Sequence, residues 1–75
     1  MQIGFKKIMF TVSDIVEDLI AKQPFIEEGL SRNLINLSSL ARELKPQIEK
    51  KLFKDVKLGS IVMALKRLAT SRLHP

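Results

Sequence analysis

The sequence predicts an all-α domain of three or four helices, and three observations carry that prediction. Apolar residues recur at helical spacing in several separate runs from Thr11 onward. Each run is preceded by a capping or turn residue. With three glycines and three prolines in 75 residues, the composition is that of a globular chain and not a disordered or collagen-like one. A chain this short has room for one small domain, read here as an N-terminal arm or short strand over 1–10 followed by a single helical domain over 11–75.

Residues 1–10, MQIGFKKIMF, lack a helix start and show a loose apolar alternation at Ile3, Phe5, Ile8 and Phe10. That pattern suits a short strand, a flexible arm or a segment covering the core. The first helix is the clearest element. Thr11 is a good N-cap with Asp14 three residues on, and Phe10 is placed to staple onto Ile15. Val12, Ile15, Val16, Leu19 and Ile20 then form one stripe, until Pro24 stops the helix near Lys22. Pro24 suits the first position of a short second helix, with Ile26, Leu30 and Leu34 on its buried side and Asn33 as a left-handed end.

Asn36 caps a third helix over about 37–53. Its apolar positions 37, 40, 41, 44, 48 and 52 keep one phase across Pro46, which favours a single helix kinked there over two helices. Lys54 to Lys57 form a turn, and the fourth helix runs from Leu58 to about Ser71. Leu58, Ile61, Val62, Leu65, Leu68 and Ala69 share its inner side. Gly59, Ser60, Met63, Lys66, Arg67 and Thr70 lie opposite, a side without an acidic residue.

Composition excludes much. With no cysteine there is neither a disulfide nor a thiolate metal site, and the single histidine, His74, leaves no histidine cluster. No metal or cofactor is expected. The acidic neighbours Glu17-Asp18 and Glu27-Glu28 point about 100° apart on a helix, so neither pair converges on one substrate atom. No nucleophile stands beside a base in any motif, and the chain reads as a non-enzyme. No apolar run approaches the roughly 20 residues of a membrane-spanning helix, and a cytoplasmic location is expected.

The net charge of +5 is unevenly spread. Residues 11–34 carry five acids against Lys22 and Arg32, a balance of −3. Residues 35–75 carry nine basic side chains against Glu43, Glu49 and Asp55, a balance of +6. Such a half-basic chain attracts a polyanion.

Two helices joined by a turn, the second with a small, polar and basic free side, describe a helix-turn-helix. Double-stranded DNA is the partner this pattern suits. Ser60, Met63, Lys66 and Arg67 are the candidate contacts on the fourth helix, Lys54 and Lys57 on the turn, and Ser38 and Arg42 at the start of the third helix. The competing reading is a helical interaction or dimerisation module that uses Met63, Phe53, Phe25 or the N-terminal arm. Met63 also suits a protein contact, and Arg42 is equally suited to pair with Glu43 or Glu49.

The wording INLSSLAREL, with its Leu40-Ala41 pair, resembles the second helix of winged-helix transcription regulators. VKLGSIVMALKRLA, with Ala64 to Leu68, resembles their recognition helix. Residues from about 11 to 69 are similar to the N-terminal segment of uncharacterised bacterial and archaeal proteins in which such helices precede an amino-acid-sensing ACT domain. The shared pattern is Ile35-Asn36, Leu40-Ala41-Arg42, Pro46 and Val56 through Leu68. This resemblance implies the DNA-binding N-terminal part of a ligand-responsive regulator, with a C-terminal sensing domain that is not in this chain. Two departures stand out. The two-strand wing is expected to be absent or truncated, and the turn from Leu52 to Lys57 is longer than the tight turn of simple helix-turn-helix proteins.

Overall fold

A computed structural model describes residues 11–72, with side chains described as far as Thr70. The arm or strand expected over 1–10 lies outside the described residues, as does the Phe10 staple. The described chain is all helical: α1 (Val12–Ala21), α2 (Pro24–Ser31), α3 (Leu37–Leu52) and α4 (Leu58–Arg67), continued by a π-helical turn over Leu68–Arg72.

Local chemistry sets the helix ends. At α1 the Thr11 N–H donates to Asp14 Oδ2 at 3.0 Å and the Asp14 N–H donates to Thr11 Oγ1 at 3.1 Å, a complete capping box. Pro24 occupies the first turn of α2, where its missing N–H costs nothing. Asn36 caps α3, its Oδ1 accepting from the Ser39 N–H at 2.9 Å. Pro46 lies inside α3, which runs as one helix, as the unbroken apolar phase requires. At the start of α4 Lys57 makes no side-chain cap bond, matching its poor capping chemistry.

The apolar stripes meet in one core. α4 lies against both α1 and α3, α1 also touches α3, and α2 sits beside α1 and the π-helical turn. Val16, Ile20, Leu44, Ile48, Ile61 and Leu65 are almost wholly buried, and no described polar or charged residue is buried with them. α2 contributes Leu30 alone to the buried core.

Two expectations are corrected. Leu34 does not belong to the buried side of α2; it is 69% exposed. Asn33 takes a left-handed φ of 58°, so the chain leaves the helix one residue earlier and the i+4 relation to Leu30 no longer applies. α4 does not stay α-helical to Ser71: after Arg67 its backbone widens into the π-helical turn. The Thr70 hydroxyl donates there to the carbonyls of Lys66 (3.0 Å) and Arg67 (3.3 Å).

Candidate nucleic-acid interface

The candidate face is built by α4. Burying Ile61, Leu65 and Leu68 against α1 and α3 forces the residues on the other side outward. Gly59, Ser60, Met63, Lys66, Arg67 and Thr70 are all exposed, Met63 by 50%. A Cβ added at Gly59 would meet nothing within 4 Å, so the open space there belongs to the surface and not to internal packing.

This face forms one wall of an open groove of about 440 Å³. Gly59, Ser60, Met63 and Arg67 line one side, and Thr11, Val12 and Ser13 at the start of α1 line the other. The two walls are tied together, because Arg67 Nη2 donates to Ser13 Oγ at 3.0 Å. An Arg67 that reached for a phosphate or a base edge would first exchange that bond. Glu17, one helical turn beyond Ser13, shares its side of α1, so the acid-free surface belongs to α4 itself.

The remaining predicted residues lie outside this groove. Ser38 and Arg42 are exposed one turn apart on α3. Arg42 Nη2 reaches Ser39 Oγ at 3.5 Å and forms no ion pair with Glu43 or Glu49 among the described residues. Lys54 and Lys57 are exposed on the turn between α3 and α4, and Lys66 is exposed on α4. Ser60, Met63 and Arg67 are thus brought together, whereas Ser38, Arg42, Lys54, Lys57 and Lys66 do not line the same groove.

Sequence reasoning missed two features. The first is the α1 wall, since nothing at Ser13 signals a partner 54 residues away. The second is Glu49. Its Oε2 accepts from the Val56 N–H at 2.9 Å and from Lys45 Nζ at 2.9 Å, so one carboxylate ties the last turns of α3 to the turn that leads into α4. The Val56 N–H bond, reinforced by the Lys45 ammonium, holds the Glu49 carboxyl below the ordinary glutamate range. The i, i+4 spacing of Lys45 and Glu49 was readable, but the bond to Val56 depends on how the turn folds back.

Among the described residues no helix is long and apolar enough to cross a membrane. No protein-family model, curated protein or solved structure matches the chain.

Proposed function

We propose that the chain is a DNA-binding module of the helix-turn-helix type, with α3 as the supporting helix and α4 as the recognition helix. In this reading it works in the cytoplasm as the N-terminal part of a ligand-responsive transcription regulator. The observation that carries the reading is the outward face of α4: six exposed residues from Gly59 to Thr70, small at one end, cationic at the other, with no acid among them. A helix fits the major groove only if its free side lacks bulk and negative charge. Lys54 and Lys57 precede α4 on a turn where a phosphate strand would pass, and Ser38 and Arg42 stand at the start of α3, the other position from which this architecture meets the backbone.

Fluorescence anisotropy with a short duplex tests it. Lys66→Ala and Arg67→Ala should keep the helical circular dichroism of the parent and bind more weakly. The parent's log K should fall with log salt by about 0.9 per phosphate contacted. Equal binding by parent and variants discards the α4 face as the contact.

A second reading is favoured by a specific observation. Phe25 and Phe53 are each 91% exposed and Leu34 is 69% exposed, a large apolar display for so small a domain. A homodimer or protein-interaction module would use these surfaces, and its association would barely respond to salt. Sedimentation at low and moderate salt separates the two readings.

A further inference from the structure

Phe53 is the most unusual residue of the described chain. It caps α3 in the left-handed region, at φ 57° and ψ 38°, where a bulky aromatic is an outlier. Phe53 is 91% exposed, so the unusual backbone is not offset by packing within the described residues. The turn around it is nonetheless fixed. On one side the Glu49 carbonyl accepts from the Lys54 N–H at 3.3 Å, and on the other the Glu49 carboxylate accepts from the N–H of the buried Val56 at 2.9 Å. The ring is therefore held in water by a built turn. An observed backbone outlier of this kind is where a functional constraint is sought.

Charge identifies the class of partner. Lys50, Lys51, Lys54 and Lys57 are exposed within four residues of Phe53 along the chain, and none has an ion pair among the described residues. Asp55 is the sole acid from Lys50 to Lys57. Phe25 is equally exposed, but Glu27 and Glu28 stand beside it, the wrong sign for a polyanion. An exposed ring on a lysine-rich turn fits a partner that offers a flat apolar surface between negative charges. A nucleobase between two phosphates is such a surface.

We propose that Phe53 is a base-stacking contact, with Lys50, Lys51, Lys54 and Lys57 taking the flanking phosphates. This rests on the nucleic-acid reading above and adds to it a preference for structure. Inside a duplex the base faces are already stacked, and opening a step costs more than one ring returns. An unpaired base offers its face without that cost. The module therefore favours a duplex carrying a bulged or unpaired base over a fully paired one, with α4 on the paired stretch and Phe53 on the free base.

The experiment uses the full chain, a fully paired DNA hairpin, the same hairpin with one unpaired adenine, and vesicles of phosphatidylcholine with phosphatidylserine. Phe53→Ala should weaken binding to the unpaired-base hairpin about tenfold and to the paired hairpin less than about twofold. The indole introduced by Phe53→Trp should be quenched by the unpaired-base hairpin. Both substitutions are at an exposed position, and circular dichroism checks that the fold is kept. Equal losses on both hairpins, or no loss on either, overturn the stacking assignment. Emission that ignores both hairpins but shifts to the blue with vesicles overturns it in favour of a lipid surface. The two readings fail separately. Binding of both hairpins that needs Lys66 but not Phe53 removes this inference alone. Unpaired-base binding that needs Phe53 but not Lys66 upholds it and removes α4 as the recognition helix. No binding to either hairpin removes both.

Discussion

The α2–α3 turn and the α3–α4 turn begin alike and end differently. Each starts with a left-handed residue, Asn33 at φ 58° and Phe53 at φ 57°. In each the following N–H reaches back five residues, Leu34 to the Gly29 carbonyl at 2.8 Å and Lys54 to the Glu49 carbonyl at 3.3 Å. In the first turn the residues suit the geometry. Asparagine tolerates the left-handed region, and Gly29 leaves room for Ile35, whose Cδ1 and Cγ1 would lie 2.5 Å and 2.8 Å from an added Cβ. In the second turn an aromatic ring stands in the least suitable conformation, and a carboxylate from α3 supplies the hold that the local sequence does not. The difference teaches that one turn is specified locally and the other by a side chain reaching across seven residues.

Truncating the core on either side of that comparison should give the largest effects. Leu65→Ala, in the fully buried face of α4, should cost about 2–5 kcal/mol in chemical denaturation and affect the whole domain. Leu30→Ala removes the one buried side chain of α2, so its cost should show as local hydrogen exchange in α2 while α3 and α4 stay protected. Global unfolding by both substitutions would mean the turns are not independent. Gly29→Ala comes next. Its overlap with Ile35 should outweigh the gain in helix propensity of about 1 kcal/mol, leaving a net loss near 1 kcal/mol. Adding Ile35→Ala should remove the overlap, seen as a non-additive double-mutant cycle.

Phe53→Gly has the opposite sign. Relief of the left-handed conformation exceeds the entropy cost of glycine, so the midpoint of thermal unfolding should rise by the equivalent of roughly 0.5–1 kcal/mol. A loss instead would show that the ring packs in solution. The smallest effect concerns acid. The folded Glu49 carboxyl lies below its ordinary value, so its contribution is full above that value and is lost as the pH falls through the lower, folded one. Glu49→Gln should flatten that part of the stability–pH curve. A curve unchanged by the substitution would remove the carboxylate from the turn.

Where a residue acts on its near neighbours, the sequence was readable. Thr11 and Asp14, Pro24, Asn33 and Asn36 act within four residues, and each performs the role its chemistry predicts. The phase of Leu40, Ala41, Leu44 and Ile48 likewise located one continuous α3 through Pro46. The outward face of α4 was legible for the same reason, since burying Ile61 and Leu65 leaves Ser60, Met63 and Lys66 no other side. What escaped depends on chain reversal. Leu34 falls off the wheel of α2 because the left-handed Asn33 before it redirects the chain, so the i+4 relation to Leu30 does not hold. The Arg67–Ser13 and Glu49–Val56 bonds arise where separate elements meet, and no spacing rule connects them.

An interior that holds no polar or charged member among the described residues has a practical outcome for the chemist at the bench. The ion pairs described, Lys22–Asp18, Arg32–Glu28 and Lys45–Glu49, join residues four apart on single helices, and such local pairs add little to folding. Strong electrolyte therefore leaves the scaffold standing, and by screening the mutual repulsion of a +5 chain it even tightens it. A concentrated-salt wash should therefore strip any polyanion carried through purification while the domain stays folded.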